Sequence, residues 1–199
     1  MINVLMWVAL TCYFICLIPQ IMTNYRYKSG TGVSEFMLMG YLNAYLFMMF
    51  YIFGMELPLA YRVMAPAALG ATLVLIAQRL YYDRLAPKQL HLMYLGNIGF
   101  FIACVPFALQ NPMGIGMVFG WCNFGLSVLN QLPQIVKIHR ARSVMGFSFM
   151  FVIFNGIAAT CETIAAFAAH LPLPTCVSAV RALILFGIFC WQFYQYSNA

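Results

Sequence analysis

Charge is what this sequence has least of. Acidic and basic residues together make up 7% of its 199 residues, with four Asp or Glu and ten Lys or Arg. A soluble globular protein carries about 25% charged residues, so this chain could not cover a water-exposed surface with charge. Hydrophobic residues make up 64%, and apolar stretches of about 20 residues, long enough to cross ~30 Å of hydrocarbon, recur along the chain. The composition predicts an all-α membrane protein that crosses the bilayer several times.

Several kinds of site are also missing. No stripe of basic residues forms a phosphate-binding face, which argues against nucleic acid as a partner. The seven cysteines lie mostly in apolar spans without a CxxC pair, a pattern typical of buried thiols rather than of a metal or redox site. The sequence contains neither a nucleophile–base pair nor a phosphate-binding loop. We therefore expect no metal, no cofactor and no enzymatic activity.

Seven apolar spans lie between turn-forming or charged breaks, at residues 3–24, 33–55, 58–79, 92–109, 113–136, 145–169 and 173–194. Basic residues follow the first, third and fifth spans, on one side of the membrane: Arg26, Lys28, Arg79, Arg84, Lys88, Lys137, Arg140 and Arg142. The opposite side has only Arg62, and Arg181 lies within the seventh span. The positive-inside rule then predicts an amino terminus outside and a carboxyl terminus in the cytoplasm.

The two ends of the chain favour one compartment. The first span lacks the basic leader of a cleavable signal peptide, and the tail "QYSNA" has no evident sorting signal. No long glycosylated segment precedes the first span. We therefore expect a bacterial inner membrane rather than a lysosomal membrane, with membrane lipids as the surrounding partner.

One segment of the sequence occurs twice. The stretches "LIPQIMTNYRYKSGTGVS" (17–34) and "QLPQIVKIHRARSVMGFS" (131–148) share residues at a constant offset of 114. The matched pairs are Pro19–Pro133, Gln20–Gln134, Ile21–Ile135, Arg26–Arg140, Lys28–Arg142, Ser29–Ser143, Gly32–Gly146 and Ser34–Ser148. Both copies follow spans that end on the basic side, so the two halves face the same way and an odd number of crossings separates them. This predicts two parallel three-helix bundles, 1–85 and 111–199, joined by a linker helix in 86–110, a 3+1+3 plan.

The shared pattern PQI-x-x-N-x-R-x-K-S-x-x-G-x-S resembles that of the PQ-loop family, which includes cystinosin-type amino-acid carriers, and of the related SWEET sugar transporters. The resemblance covers residues 3–196 and implies a seven-helix carrier that works by alternating access. The second copy departs from the first at Ile138, which replaces Asn24, and at Val144, which replaces Gly30.

The two Pro-Gln pairs are predicted hinges. A proline inside a helix removes a backbone donor and bends the helix, and in lipid the freed carbonyl needs a partner. The amide of Gln20 or Gln134, with two donors and an acceptor, suits that purpose. The alternative is a static kink that only shapes packing, but equivalent kinks in both halves favour hinges at Pro19 and Pro133.

A polar stripe follows one face of the fifth span, at Asn123, Ser127, Asn130 and Gln134. Such a stripe can bond a neighbouring helix or line a cavity, and both interpretations stand for the first two residues. Asn130, one turn before the proline, is predicted to line the substrate pocket.

The resemblance also points to three further positions. In cystinosin-type relatives an aspartate used in proton coupling lies 22 residues after the motif proline, which implies Tyr41 and Asn155 here, neither of them acidic. In SWEET relatives asparagines bind sugar hydroxyls from a different helix, so Asn43 and Asn155 do not match them by position. Tyr41, Asn43 and Asn155 are candidates for substrate contact, and protons are a candidate second partner.

Glu162 and Arg181 are the formal charges that lie well inside spans. At 1.5 Å per residue, both lie roughly 12 Å below the outer boundary on consecutive antiparallel helices. An unpaired charge there would cost at least ~2.5 kcal/mol, so we expect an ion pair. The pair could lock the two helices structurally, or Arg181 could receive a substrate carboxylate while Glu162 exchanges a proton. The equivalent first-half positions, Met48 and Ala67, are uncharged.

The leading hypothesis is a carrier for a small polar solute, with an amino acid or related zwitterion as substrate. A neutral sugar is the second candidate, supported by the asparagines and by the absence of the coupling aspartate. A non-transporting receptor of the KDEL-receptor type is the third, although such receptors need several basic residues in the cavity and this chain offers Arg181 alone. The sequence makes no prediction of oligomeric state.

Overall fold

The computed structural model of the chain describes residues 2–29, 35–82, 88–144 and 149–196. Within these ranges it describes every side chain except those of residues 23, 88–91, 134, 137 and 151. Several predicted features therefore lie outside the described residues. They are Gly30, Gly32, Ser34, Arg84, Gly146 and Ser148, together with the side chains of Lys88, Gln134 and Lys137.

In the described ranges every regular element is an α-helix. The helices are α1 (Ile2–Ile15), α2 (Ile18–Tyr27), α3 (Glu35–Gly54), α4 (Leu59–Tyr82), α5 (Lys88–Gln110), α6 (Pro112–Ala141), α7 (Phe149–Ala168) and α8 (Leu173–Tyr196). With α1 and α2 counted as one broken span, six spans of the described part of the chain have the length and hydropathy to cross a membrane, and Val152–Ala168 within α7 is a shorter apolar helix. The prediction of a multi-pass helical membrane protein is confirmed.

Two helices extend further on the basic side than hydropathy predicts. α2 ends at Tyr27 and α6 at Ala141, beyond the predicted ends at residues 24 and 136. Hydropathy marks the edge of the hydrocarbon, whereas a helix can continue through the interface because long basic side chains reach the headgroups. Each helix ends at a basic residue in the left-handed conformation, Lys28 with φ 50° and Arg142 with φ 47°.

The repeat continues at the opposite end of the molecule. A Leu-Pro-Leu segment at 57–59 recurs at 171–173, again at an offset of 114. It follows Glu56 in one half and His170 in the other, with φ of 50° and 49°. In each copy the amide of the next leucine donates to the carbonyl five residues earlier at 3.0 Å, which is the closing bond of a Schellman motif. The two halves therefore end their second helices in the same way.

Within each half the third helix packs against the other two. α4 contacts α1, α2 and α3, and α8 contacts α6 and α7. In the first half, Leu38 and Leu42 of α3 share a buried cluster with Leu75 of α4. In the second half, Val152 of α7 shares a buried cluster with Phe189 of α8.

The two halves meet along two long interfaces, α3 against α6 and α1 against α7. The second helix of each half thus contacts the first helix of the other, as in a two-fold arrangement of like units. Small residues let the backbones approach closely. A Cβ added to Gly54 would meet the carbonyl oxygen of Pro112 and lie 3.0 Å from the Cα of Gly116.

The helix between the halves, α5, packs against α3 and α6. The ring centroid of its Phe101 lies 4.8 Å from that of Phe47 on α3 and 6.2 Å from that of Phe119 on α6. Other large side chains of α5, such as Leu95 and Phe107, are exposed on the lipid-facing surface. α5 therefore covers the outside of the α3–α6 interface.

Candidate functional site

A group of polar side chains lies where α1, α3, α4, α7 and α8 approach one another. Glu162 of α7 accepts a hydrogen bond from the hydroxyl of Tyr61 on α4 at 3.1 Å. Tyr13 of α1 also interacts with the Glu162 carboxylate, and Arg181 of α8 interacts electrostatically with Glu162, Tyr13 and Tyr41 of α3. We call these five residues the central cluster. It draws side chains from both halves of the molecule.

Arg181 is a membrane-embedded cation with an unused donor. Its Nε donates to the carbonyl of Ser178 at 3.4 Å, while Nη1 is buried and has no hydrogen-bond partner among the described residues. The residue lies eight positions after Leu173, where α8 begins, roughly 12 Å from that end of the helix. A guanidinium presents its donors in a planar fork that matches a carboxylate. The free donor can therefore receive an anionic group.

Glu162 and Arg181, predicted to form an ion pair, interact electrostatically but without direct contact. In the described part of the chain no hydrogen bond or ion pair joins their side chains. The Tyr61 hydroxyl supplies the carboxylate with a neutral donor, so the carboxylate is hydrogen-bonded without direct contact with the guanidinium. Equal depth follows from counting residues, whereas contact also requires each helix to be rotated so that the two side chains face each other.

Of two further predicted substrate contacts, one belongs to the central cluster and the other lies beside it. Tyr41 is a member of it and pairs with Tyr45, with ring centroids 6.4 Å apart. Asn155 donates to the sulfur of Cys16 at 3.3 Å, which links α7 to the end of α1. Cys16 comes three residues, about one helical turn, after Tyr13 of the central cluster. Asn155 therefore contacts the chain beside the cluster.

The other two predicted contacts make packing interactions on α3 and α6. Asn130 lies directly against Gly40, whose missing side chain leaves room for the amide. Asn43 donates to the carbonyl of Met39, one turn earlier on its own helix, at 2.9 Å. On the same stripe as Asn130, Ser127 donates to a carbonyl of its own helix. A role of Asn43 and Asn130 in substrate contact stays a prediction.

The two Pro-Gln copies differ in backbone structure. Before Pro19 the helix is interrupted at residues 16–17, and the amide of Leu17 bonds to the Phe14 carbonyl three residues back, at 3.1 Å. Pro133 instead lies inside the continuous helix α6. The same motif is therefore compatible with both a broken and an unbroken helix, and its action as a hinge stays a prediction.

Among the described residues, Gln20 contacts a side chain rather than the backbone carbonyl expected of it. Its amide donates to the side-chain oxygen of Asn24 at 2.8 Å, one turn further along α2, and Asn24 is 3% exposed. The second copy has Ile138 at the position of Asn24 and buries it to the same extent, 3%. The departure of the second copy from the pattern thus exchanges a buried amide pair for an apolar contact.

Tyr13, Tyr61 and Cys16 were not singled out from the sequence. Tyrosine is one of the aromatic types that make up 17% of the chain, so a tyrosine in a span carries little information. The offset of 114 holds a usable signal, since it relates Tyr13 to Ser127 and Cys16 to Asn130 of the polar stripe. Both first-half residues lie at or beside the central cluster.

Comparison with known proteins agrees with the repeat. An uncharacterized protein of Schizosaccharomyces pombe is 28% identical over 153 residues, which is 72% of this chain and 54% of that relative. The chain thus spans about half the length of this curated relative. The family model of the PQ loop repeat matches the chain twice, at residues 1–61 and 115–175. The two matches are offset by the same 114 residues as the Pro-Gln motifs and the helix ends, and the chain belongs to the PQ-loop repeat family.

Proposed function

We propose that this protein is an alternating-access carrier for a small polar solute, with an amino acid or related zwitterion as its substrate class. The observation that carries the proposal is the guanidinium of Arg181, whose buried Nη1 has no hydrogen-bond partner among the described residues. An ionisable residue inside a membrane protein is costly and by default marks a functional site. This one lies between two like halves.

The proposed carrier has a 3+1+3 plan, with α5 as the linker between two parallel bundles. The packing of α4 and α8 within their halves, and the reciprocal α3–α6 and α1–α7 interfaces, support this plan. In transporters built from parallel repeats, the substrate site lies near the midplane between the repeats. The central cluster is the candidate for such a site, since it draws side chains from both halves. The basic residues of the sequence support an amino terminus outside, and the favoured compartment is a bacterial inner membrane.

The chemistry of the central cluster fits a zwitterion. The fork of Arg181 would bind the carboxylate of the substrate. The Glu162 carboxylate accepts from Tyr61 and retains further acceptor capacity, because an ionised carboxylate offers about four lone-pair sites. A substrate ammonium group can therefore bind at Glu162, and in the absence of the family's aspartate the same residue is the candidate for proton exchange.

Uptake into liposomes tests the proposal. Purified protein is reconstituted and offered panels of labelled amino acids and sugars, and Arg181→Met is compared with the control Arg62→Met. Removing one partner of a buried charged contact costs about 3 kcal/mol, so we expect amino-acid uptake by Arg181→Met to fall about 150-fold. Arg62 lies at the outer end of α4 and bonds to the Leu57 carbonyl, so its variant should retain most uptake. Full uptake by Arg181→Met would reject the carboxylate site.

A neutral sugar is the second candidate substrate. The hydroxyls of Tyr13 and Tyr61 and the amide of Asn155 are uncharged groups at or beside the cluster, and such groups suit sugar hydroxyls. Saturable uptake of sugars alone, unchanged in Glu162→Gln, would replace the amino-acid assignment. Saturable binding without any uptake would instead support the receptor hypothesis.

A further inference from the structure

One lateral hydrogen bond occurs in both halves. Gln78 of α4 donates through Nε2 to the carbonyl of Ile21 at 3.1 Å, and Gln192 of α8 donates to the carbonyl of Ile135 at 2.9 Å. The offset of 114 relates both the donors and the acceptors. Each acceptor comes two residues after the proline of a Pro-Gln motif. In both halves, therefore, the third helix holds the backbone just beyond the predicted hinge.

One turn further along, the same two helices of each half meet again. In the first half, Nζ of Lys28 lies 3.8 Å from the ring centroid of Tyr25 and 5.5 Å from that of Tyr82. At the equivalent place in the second half, the hydroxyl of Tyr196 and Nδ1 of His139 are 2.9 Å apart. The contacting groups differ between the halves, but their positions are related by the same offset of 114. The segment after each proline is therefore held to the third helix of its half at two points.

Among the described residues, the side-chain amides of Gln78 and Gln192 form hydrogen bonds through Nε2 and not through Oε1. In the described structure, Oε1 of Gln78 and Oε1 of Gln192 are both buried without a hydrogen-bond partner, and Gln192 is 1% exposed. A buried acceptor without a partner is unfavourable. The same unfavourable arrangement in both halves indicates that the bond to the backbone carbonyl, rather than optimal burial, determines where these side chains lie.

We propose that Gln78 and Gln192 are positioning residues that make the post-proline segments, 20–27 and 134–141, move together with the third helix of their half. The inference rests on the proposed carrier function. Proline removes a backbone link between the residues before and after it, so a lateral bond decides which neighbour the following segment accompanies. Segment 20–27 then moves with α4 and segment 134–141 with α8, and each half bends at its proline when the basic end opens.

The glutamine bond is the same in the two Pro-Gln copies although their backbones differ. The helix is interrupted before Pro19 and continuous across Pro133, yet the glutamine contact is present in both. The coupling to the third helix is therefore independent of whether the helix is already broken in this state.

Hydrogen–deuterium exchange in lipid nanodiscs, together with uptake kinetics, tests the inference. The variants are Gln78→Met and Gln192→Met, which keep side-chain length and remove the N–H donor. The control is Gln195→Met, an exposed glutamine at the same end of α8. We expect Gln78→Met to raise amide exchange roughly fivefold in 20–27 and leave 134–141 unchanged, because one hydrogen bond is lost. Gln192→Met should do the reverse, and the control should change neither segment.

Transport kinetics separate positioning from simple loss of stability. Each glutamine variant should lower the turnover of uptake several-fold at an unchanged KM, because the site itself is intact. Unchanged exchange in both segments, a uniform rise across all helices, or an unaltered turnover would overturn the inference. If exchange rises only in the matching segment while the wild-type protein carries no solute of the panel, the lateral bond is supported and the proposed carrier function is rejected.

Discussion

Glu162 and Arg181 show what a single charged residue in a span allows one to predict. Their choice as candidate site residues follows from the cost of a charge in lipid, and both belong to the central cluster. Their hydrogen-bond partners cannot be predicted from the sequence. Residue spacing gives the depth of a side chain along its helix, but not which neighbouring helix the side chain faces. Tyr61, 101 residues away in sequence, bonds to the carboxylate instead. Long-range contacts of this kind depend on how the two halves dock.

The hydrogen bond from Tyr61 to Glu162 should contribute measurably to stability. Tyr61→Phe removes the hydroxyl and should destabilise the protein by about 1–3 kcal/mol, because the carboxylate loses a donor in a water-poor environment. Unfolding in detergent micelles measures the change, with Tyr194→Phe as control because Tyr194 is 83% exposed. Combining Tyr61→Phe with Glu162→Gln should cost less than the sum of the single changes. Strict additivity would show that the two side chains do not interact.

At the scale of the helices, the sequence predicts where a helix forms. It does not predict whether that helix is continuous or broken. Apolar length gives the spans, and the Pro-Gln motif marks the same place in α2 and α6. Local sequence cannot explain why the chain breaks before Pro19 and continues through Pro133. The surroundings differ, since the first copy buries the Gln20–Asn24 amide pair and the second buries Ile138. Tertiary packing thus outweighs the shared local signal.

The left-handed helix ends at Glu56 and His170 give a prediction about helix termination. The left-handed conformation costs a residue with a Cβ atom about 1 kcal/mol, and glycine adopts it without this cost. Glu56→Gly and His170→Gly should therefore each stabilise the protein by up to about 1 kcal/mol. Denaturant unfolding in micelles is the measurement. The matched controls Met55→Gly and Ala169→Gly, one residue earlier and still in helical hydrogen bonds, should destabilise it by a similar amount.

At the scale of the whole molecule, the repeat was the most informative feature of the sequence. The offset of 114, first seen in the Pro-Gln segments, also relates the Leu-Pro-Leu helix ends, the lateral glutamine bonds and the two family matches. The repeat does not predict which helices of the two halves pack against each other. The packing of α3 on α6 involves a close approach of Gly54 and Gly116, and the importance of these glycines appears only when the two backbones are placed together.

The proposed orientation of the molecule can be tested with reporter fusions in a bacterial host. Alkaline phosphatase fused after Asn111 should be active, because it folds only outside the cytoplasm, and green fluorescent protein at the carboxyl terminus should fluoresce. As a matched control, phosphatase fused after Tyr82 should be inactive. The reverse pattern would contradict the positive-inside assignment, whereas the proposed parallel relation of the two halves does not depend on it.

The glycine contact between α3 and α6 has a mechanical consequence. Where Gly54 faces Gly116 and Pro112, the backbones of α3 and α6 are in direct contact. No side chain lies between them that could change rotamer when the distance between the helices changes. The contact can therefore act as a fixed pivot near the end of α3. Gly40 lies 14 residues away along α3, roughly 21 Å at the rise of an α-helix. A tilt of about 10° around the pivot would displace the helix by about 4 Å at Gly40, which is comparable to the width of a small solute.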